Sequence, residues 1–236
     1  MINFILDLLF PIHCLGCSKE NCQGFICPIC FKQIPLNKKL PLKSNDKGNL
    51  TGLIVASYYN YPLVKQAVHR YKYDFIKDLS KPLGQLMVKR LNRFSDFLDK
   101  DNSILIPVPL HKKRLRWRGF NQAELLAIEI GKQLNIPVVN NLLIRTKYSI
   151  PQVKIKTSSE RQQNIKHAFS LSSNQGQSLK LHPFAKGCNF KDCPCVNKTI
   201  ILIDDIATTS ATLKECAKAL NPLRPKEIWG LVIAKG

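Results

Sequence analysis

The sequence from Ile200 to Leu213 reads IILIDDIATTSATL. Its apolar start predicts a buried parallel strand, and two carboxylates, Asp204 and Asp205, follow where that strand should end. Small hydroxyl residues come next, and the pattern from about Ala211 to Asn221 predicts a helix. A strand that ends in acidic residues, followed by a short loop that opens a helix, is typical of α/β sheets that bind sugar phosphates. This stretch therefore indicates an α/β fold with a ligand site at one edge of its sheet.

The loop after Asp205 carries the donors that a phosphate needs. The first turn of a helix offers unpaired N–H groups and the positive end of the helix dipole, and hydroxyl side chains add further donors. The candidate phosphate-binding residues are Thr208, Thr209, Ser210, Ala211 and Thr212. Asp204 and Asp205 are the candidate catalytic residues, because carboxylates can accept ribose hydroxyl groups or bind Mg²⁺.

Other proteins also end a hydrophobic strand in two acids. The acid pocket of a response regulator and the Walker B strand of a nucleotide triphosphatase share this feature. The second would require a Gly-x-x-x-x-Gly-Lys-Ser/Thr loop, which the sequence lacks. In a purely structural interpretation the two acids only cap the strand at the surface. The acids, the hydroxyl residues and the start of the predicted helix follow one another directly in the sequence. This order favours a ligand site instead.

Residues 200–212 resemble the phosphoribosyl-pyrophosphate (PRPP) motif of type I phosphoribosyltransferases. That motif consists of apolar residues, two acids, two further residues and Thr-Thr-Gly-x-Thr. One position differs, because Ser210 stands where glycine is usual, and glycine allows a positive φ and close backbone approach to a ligand. The resemblance implies PRPP binding with Mg²⁺, and a mostly parallel sheet flanked by helices.

The composition is that of a basic globular protein. The chain has 236 residues, of which 44% are apolar, and its 36 Lys and Arg against 16 Asp and Glu give a formal charge of +20. Such a chain can bury one α/β core plus a small module. The charge predicts attraction to polyanions such as nucleic acid, pyrophosphate or an anionic membrane, although an AT-rich genome would also raise the lysine content. No apolar stretch reaches about 18 residues, so we expect a cytoplasmic protein with at most peripheral membrane association.

Two Cys-x-x-Cys knuckles lie near the start of the sequence. Cys14 and Cys17 form the first, Cys27 and Cys30 form the second, and nine residues separate them. Two such knuckles can deliver four thiolates to one structural Zn²⁺, whereas an iron–sulfur cluster or metal-free thiols are the alternatives. Cys22 lies between the knuckles as an extra thiol that is either a substitute ligand or a bystander.

A second buried strand is predicted from Ser103 to Val108, and a basic segment follows it. Five cations lie between residues 112 and 118, no acid occurs between Asp101 and Glu124, and a helix is predicted from Phe120 to about Leu134. We interpret the basic segment as an anion-binding loop, because arginine can bind pyrophosphate through two parallel hydrogen bonds and glycine lets backbone N–H groups approach. A solvated basic loop without a ligand is the alternative. The candidate residues are Arg114, Arg118 and Gly119.

The middle of the chain is rich in aromatic and basic residues. A strand is predicted at about Leu53–Tyr59, and helices are predicted at about Pro62–Tyr73 and Leu79–Leu98. Aromatic residues interleaved with cations, from Tyr58 to Phe75, are typical of surfaces that stack bases and pair with phosphates. At helical spacing some of these rings must instead pack in the core.

The combination of features resembles the ComF family of competence proteins, specifically its ComFC-type members. Besides the knuckles and the PRPP-like stretch, the matching residues are Leu8-Leu9-Phe10-Pro11, Ile106-Pro107-Val108-Pro109-Leu110, Arg114, Arg118-Gly119-Phe120-Asn121-Gln122, Leu125-Leu126-Ala127, Arg161, Asn164, Ala168 and Phe169. The resemblance implies a zinc module joined to a type I phosphoribosyltransferase fold. It also implies a role in natural transformation, in which single-stranded DNA is imported into the cytoplasm alongside other uptake proteins such as a ComF-type helicase.

The resemblance also gives a role to residues 144–164. In the family this stretch corresponds to a mobile segment near the active site, and a loop that closed over PRPP would exclude water. A surface connection whose cations only keep it soluble is the alternative. Arg161 is the candidate pyrophosphate contact in this segment.

We divide the chain into a zinc-binding module at residues 1–48 and a phosphoribosyltransferase-like domain at residues 49–236. Residues 172–198 are polar and lack periodicity, so they are expected to be an insertion. The insertion holds Cys188, Cys193 and Cys195 with His182 upstream, and these are either a second zinc site or reduced thiols.

Two functions are consistent with the sequence. In the first, the chain is a PRPP-binding, phosphoribosyltransferase-like protein of natural transformation with single-stranded DNA as a partner. In the second, it is a phosphoribosyltransferase that acts on a small-molecule base or amine without touching DNA. The acids and hydroxyl loop favour a transferase site, while the positive charge and the aromatic, lysine-rich middle favour nucleic acid.

Overall fold

The computed structural model of the chain describes residues 12–20, 24–43, 50–94, 99–148, 158–172 and 195–236. The main sheet contains strands β1 (Leu42–Lys43), β2 (Gly52–Tyr58), β3 (Ser103–Pro107), β6 (Thr199–Ala207) and β7 (Glu227–Lys235), and a separate pair is formed by β4 (Leu143–Arg145) and β5 (Phe169–Leu171). The order in the main sheet is β1–β2–β7–β6–β3. The pairings among β2, β7, β6 and β3 are parallel, whereas β1 runs antiparallel to β2. The expected mostly parallel sheet is therefore confirmed.

Seven α-helices accompany the strands in the described ranges. They are α1 (Pro28–Gln33), α2 (Pro62–Tyr73), α3 (Ser80–Leu91), α4 (Lys112–Arg118), α5 (Gln122–Leu134), α6 (Ser158–Ile165) and α7 (Ala211–Leu220). Short 3₁₀ turns lie at Lys77–Leu79, Asn92–Phe94 and Asn221–Leu223.

The central strands are covered on both faces, which explains why β6 begins with an unbroken apolar run. Successive side chains of a strand point to opposite faces. Ile201 and Ile203 accordingly pack in the cluster that contains α2, α3 and α5, whereas Ile200 and Leu202 pack in the cluster that contains α7 and the β4–β5 pair. Helices therefore flank the sheet on both sides. The acids of β6, Asp204 and Asp205, lie at the edge of the sheet where the parallel strands end.

The basic segment after β3 is a helix, so the prediction of a loop there was wrong. The His111 imidazole caps α4 by accepting a hydrogen bond from the N–H of Lys113 through Nδ1, at 3.2 Å. Gly119 ends the helix at φ 77°, a left-handed conformation that favours glycine. The N–H of Gly119 donates to the carbonyl of Leu115 at 2.8 Å, so this group closes the helix and does not point to a ligand.

Other boundaries differ in smaller ways. The helix predicted at 79–98 is α-helical only over α3 and then tightens into a 3₁₀ turn at Asn92–Phe94, while residues 95–98 lie outside the described ranges. The helix predicted from Phe120 begins at Gln122, because Asn121 caps it by accepting a hydrogen bond from the N–H of Ala123 at 3.2 Å. No helix among the described residues is long and apolar enough to cross a membrane.

The division into two domains stays a prediction. The buried cysteines of the knuckles, together with Ile26 and Ile34, belong to the same apolar cluster as residues of α2 and α3. Of the proposed insertion, residues 173–194 lie outside the described ranges, as do Cys188 and Cys193.

Candidate functional site

A cavity of about 440 Å³ opens at the carboxyl ends of β3 and β6. Parallel strands end at the same edge of a sheet, so residues far apart in the sequence meet there. Its charged and hydroxyl-bearing lining residues are Tyr59, His69, Lys72, Tyr73, Arg114, Arg118, Arg145, Asp204, Asp205, Thr208 and Thr212. The cavity thus brings together the acidic stretch after β6 and the basic segment after β3.

Asp204 and Asp205 are held at the end of β6 by backbone hydrogen bonds. The N–H of Asp205 donates to Asp204 Oδ1 at 2.9 Å, and the N–H of Ile206 donates to Asp205 Oδ1 at 2.7 Å. Lys72 of α2 pairs with the second acid, with Nζ 2.9 Å from Asp205 Oδ2, and only 4% of the Asp205 side chain is exposed. The protein therefore supplies its own cation to this buried carboxylate.

The neighbouring acid has a different environment. Burial raises the pKa of Asp204, the negative charge of Asp205 raises it further, and Lys72 lowers it, with a net result of about 7. At neutral pH this carboxyl group therefore exchanges between its protonated and ionised forms. A bound cation or a set of hydroxyl donors would favour the ionised form.

The loop that opens α7 contains a serine in a backbone conformation that glycine adopts most easily. Ser210 has φ 60° and ψ 9°, the left-handed conformation for which glycine is usual, and it occupies the N-cap position of α7. Thr208 and Thr212 line the cavity. Between them, the Thr209 hydroxyl oxygen is buried and has no hydrogen-bond partner among the described residues. Buried polar atoms normally have a partner, and a phosphate oxygen would provide one here.

Arginines form the opposite wall of the cavity. Arg114 and Arg118 come from α4, and Arg145 ends β4. Arg118 is 9% exposed, and in the part of the chain that the structure describes its Nε and Nη1 atoms have no hydrogen-bond partner. Burial lowers the pKa of Arg118, which Asp205 partly opposes, yet a guanidinium group stays charged in proteins. A buried cation with unsatisfied donors is costly, and an anion in the cavity would relieve that cost.

The sequence identified part of this site and missed the rest. Of the candidate residues, Asp204, Asp205, Thr208, Thr212, Arg114 and Arg118 line the cavity, whereas Thr209, Ser210 and Ala211 form the loop beside it and Gly119 ends α4. Arg161 lies in α6, but its side chain is outside the described part of the structure. Lys72 and Arg145 were missed as site residues, because only the tertiary fold brings them to β6.

The aromatic, basic stretch of the sequence divides between core and surface. Tyr71 is fully buried and its hydroxyl donates to the carbonyl of Gln122 at 2.8 Å. Tyr73 and Phe75, two and four residues further on, are exposed. Core packing is therefore confirmed for Tyr71, whereas base stacking by the exposed rings stays a prediction.

The four knuckle cysteines form the second candidate site. The Sγ atoms of Cys14, Cys17, Cys27 and Cys30 all lie within 4.8 Å of one another, and those of Cys17 and Cys27 are 3.8 Å apart. Tetrahedral zinc with Zn–S bonds of about 2.3 Å requires sulfur atoms about 3.8 Å apart, so the cluster fits this ion. Gly16 is required by the close packing of the knuckles, since a Cβ atom there would lie 2.7 Å from Cys30 Sγ.

The electrostatics of the cluster favour metal binding. Burial raises the pKa of Cys14, but N–H donors led by that of Cys27 outweigh it and lower this pKa to about 6. Burial and the neighbouring sulfurs raise the pKa of Cys30 to about 12. The Cys14 thiolate therefore forms easily, whereas Cys30 resists deprotonation until a cation neutralises it. Cys22, Cys188 and Cys193 lie outside the described residues, so their predicted roles stay predictions.

Relatives of the chain identify its family. The sequence is 30% identical over 231 residues to Competence protein F of Haemophilus influenzae, a match that covers 95% of this chain and 86% of that protein. The chain belongs to the ComF family of competence proteins. Within or near this family, Competence protein ComFC of Bacillus subtilis is 26% identical over 214 residues, with 88% of this chain and 77% of that protein covered. The DNA utilization protein YhgH of Escherichia coli is 24% identical over 184 residues, with 76% and 70% covered. No family model matches the sequence.

Solved structures resemble this ComF-family chain only loosely. A purine phosphoribosyltransferase from Pyrococcus horikoshii covers 65% of this chain and 80% of its own, with 10% identity and a TM-score of 0.33. The AQ2163 protein from Aquifex aeolicus covers 75% of this chain and 86% of its own, with 13% identity and a TM-score of 0.38. The α/β class, with helices around a mostly parallel sheet and a four-cysteine cluster near the N-terminus, therefore rests on the chain's own strand order and contacts.

Proposed function

We propose that this ComF-family chain binds PRPP together with Mg²⁺ in the cavity and acts in natural transformation. One observation carries the first half of the proposal. Two carboxylates, threonines of a loop at a helix start and a buried arginine with donors that lack a partner among the described residues line a single cavity. A ligand that carries a ribose, a phosphate and a pyrophosphate would satisfy all three.

The charge of the lining supports a strongly anionic ligand. Four cations, Lys72, Arg114, Arg118 and Arg145, face two carboxylates, so positive charge is in excess even when both acids are ionised. In a partly buried cavity, water screens this excess less than at the surface. The excess favours phosphate groups over neutral sugars.

Each wall would take a different part of PRPP. Arg114 and Arg118 would hold the pyrophosphate through parallel hydrogen bonds. The loop from Thr208 to Thr212 would hold the 5′-phosphate at the start of α7. Asp204 and Asp205 would fix the ribose hydroxyl groups.

Mg²⁺ would be held by the same carboxylates and by phosphate oxygens, and it would neutralise charge on the pyrophosphate when bound. The residues of the chain itself orient the ribose and surround the pyrophosphate with fixed cations. Such a site acts by positioning and by charge stabilisation, and it needs no covalent intermediate on the protein.

The names of the relatives support the second half of the proposal. Two of them are competence proteins and one is a DNA utilization protein. We place the chain in the cytoplasm, in the import of single-stranded DNA, with other uptake proteins such as a ComF-type helicase as partners and with at most peripheral membrane association. The formal charge of +20 supports contact with nucleic acid.

The test of the PRPP site is a calorimetric titration. PRPP with Mg²⁺ is titrated into the zinc-loaded wild type, into an Asp204→Asn, Asp205→Asn double variant, and into Asp78→Asn as a matched control. Asp78 is an exposed carboxylate that pairs with Lys81. We expect binding to wild type and to the control, and loss of binding in the double variant. Wild type that gives no heat with PRPP would reject the proposal.

A further inference from the structure

Three exposed aromatic rings form a cluster at the mouth of the cavity, which we call the aromatic platform. Tyr73 ends α2, Phe75 follows it, and Trp117 lies near the end of α4. The ring centroid of Trp117 lies 5.1 Å from that of Phe75 and 6.5 Å from that of Tyr73, in edge-to-face arrangements. Tyr73 also lines the cavity, so the platform and the cavity are continuous.

The three rings of the platform pack against one another, yet a large part of each ring stays exposed to solvent. Trp117 is 60% exposed, Tyr73 45% and Phe75 37%, although each ring touches a neighbour. Exposed apolar rings that are grouped, and not scattered, mark interaction sites. The edge-to-face contacts brace the rings against one another while much of their surface stays open.

The backbone at Phe75 gives an independent indication. This residue has φ 57°, in the left-handed region that glycine and asparagine adopt most easily. The turn is held because the N–H groups of Asp74 and Ile76 both donate to the carbonyl of Arg70. A bulky aromatic residue in a conformation suited to glycine is typical of positions where the side chain itself has a function.

Several cations lie on the same helix as Trp117. On α4, Lys112, Lys113 and Arg116 are exposed, and the guanidinium carbon of Arg118 lies 5.8 Å from the Trp117 ring centroid. The sequence holds no acid between Asp101 and Glu124. Asp74 is the exposed acid beside the rings, and Arg70 neutralises it at 3.8 Å.

At the other end of α4, Tyr148 adds a further exposed ring. It lies 5.1 Å from the ring of His111, and Lys113 Nζ lies 5.3 Å from its centroid. A chain of phosphates could therefore follow α4 between one ring cluster and the other.

We propose that the aromatic platform is a stacking surface for the unpaired bases of a single-stranded nucleic acid, whose phosphates contact the exposed cations of α4. The inference rests on the proposed role in handling single-stranded DNA, and it assigns that contact to named residues. Aromatic rings with cations beside them bind single strands because every base has a face to stack and every nucleotide carries a charge. Bases in a duplex are already stacked, so a duplex cannot use the rings. A second copy of this chain is disfavoured on the same surface, because the cations of the two copies would repel.

Tryptophan fluorescence gives a direct test. The chain has two tryptophans, Trp117 and the buried Trp229. Oligo(dT) of about 20 nucleotides should quench the emission of the zinc-loaded wild type, and the quenching should disappear in Trp117→Phe, which keeps a ring but removes the reporter. Oligo(U) of the same length separates an RNA partner from a DNA partner, and a duplex of the same length should quench little.

Fluorescence anisotropy of labelled oligo(dT) measures the affinity. Trp117→Ala should weaken binding roughly five- to 150-fold, the range found for one stacked base. Leu115→Ala is the matched control, since Leu115 is an exposed apolar residue of the same helix, and it should bind like wild type. Arg116→Gln should reduce the dependence of log affinity on log salt by about 0.7, whereas Trp117→Ala should leave this slope unchanged.

The outcomes separate this inference from the PRPP proposal. Trp117→Ala that binds oligo(dT) as wild type does would overturn the platform, as would equal quenching by duplex. Wild type that binds PRPP but no oligonucleotide would overturn the platform and leave the PRPP site standing. Quenching that vanishes in Trp117→Phe, in a protein that binds no PRPP, would support the platform and reject the PRPP site. If Trp117→Ala only converted a dimer to a monomer, the surface would be a contact between copies and the inference would be wrong.

Discussion

Replacing Lys72 by methionine tests whether the cation on α2 is a structural partner of the acid pair. The substitution keeps the apolar stem and removes the ammonium group that lies 2.9 Å from Asp205 Oδ2. Asp205 would then be a buried carboxylate whose Oδ1 still accepts from the N–H of Ile206 but whose Oδ2 has lost its cation.

The burial of the two side chains sets the magnitude. Breaking a buried ion pair by removing one partner costs about 3–5 kcal/mol. The Asp205 side chain is 4% exposed, but that of Lys72 is 21% exposed, so water reaches the pair from one side. We therefore expect the lower end, a loss of about 3 kcal/mol in the free energy of unfolding, or roughly 6–12 °C in Tm for a chain of this size.

A double-mutant cycle isolates the pair. Denaturant unfolding is measured for wild type, Lys72→Met, Asp205→Asn and the double variant, all loaded with zinc. Asp205→Asn keeps an oxygen for the N–H of Ile206 and leaves an ammonium that can reach water, so it should cost only about 1 kcal/mol. The double variant should be more stable than Lys72→Met, with a coupling energy of about 2 kcal/mol. Additive losses, or a Lys72→Met variant within about 0.5 kcal/mol of wild type, would show that water already neutralises Asp205 and that the reasoning is wrong.

The site and the cysteine cluster lead to four further predictions. Mass spectrometry of the purified chain should find one zinc bound by the described cluster, and Cys17→Ser should lose that zinc with a large drop in stability, whereas the buried Cys216→Ser should keep it. The pKa of Asp204 is raised to about 7 in the fold, so the folded protein disfavours its ionised form. The free energy of unfolding should therefore fall as the pH rises from about 4 to about 7. Urea unfolding of Asp204→Asn should show a flatter dependence on pH. Because binding requires the ionised form of Asp204, PRPP with Mg²⁺ should bind more tightly at pH 8 than at pH 6 and should release a proton. Calorimetry in buffers of different ionisation heat measures that proton, and its absence would contradict the prediction. Since Ser210 has φ 60°, the free energy of unfolding of Ser210→Gly should stay within about 1 kcal/mol of that of wild type, whereas Ser210→Val should lose about 2 kcal/mol. Equal effects of the two substitutions would argue against the left-handed conformation.

The sequence predicted those parts of the molecule in which the signal is local. Strand β6, the acids at its end and helix α7 follow from neighbouring residues, because burial on both faces and helix capping both leave patterns within a few positions. The four cysteines were predicted as one site for the same reason, since the spacing inside each knuckle fixes its geometry.

The rest depends on contacts that the sequence does not encode locally. Helix α4 was missed because five cations in seven residues gave no apolar face and His111 is not a usual N-cap residue, although Gly119 after it is a signal of a helix end. Lys72 was missed because it precedes Asp205 by more than a hundred residues, and the role of Arg145 depends on where β4 ends. Ser210 is a third case, because its left-handed backbone at φ 60° is set by the turn that opens α7 and not by a preference of serine.

Helix α2 touches both sites of the protein. At its first turn Leu63 belongs to the same apolar cluster as the buried cysteines, and a Cβ atom on Gly16 would come within 3.4 Å of it. At its last turn Lys72 holds Asp205 and Tyr73 joins the exposed rings. The helix is about 18 Å long and rigid over that length. Under the proposed function, loss of zinc from the cysteine cluster would disturb the first turn of α2 and, through this helix, the Lys72–Asp205 pair at the cavity.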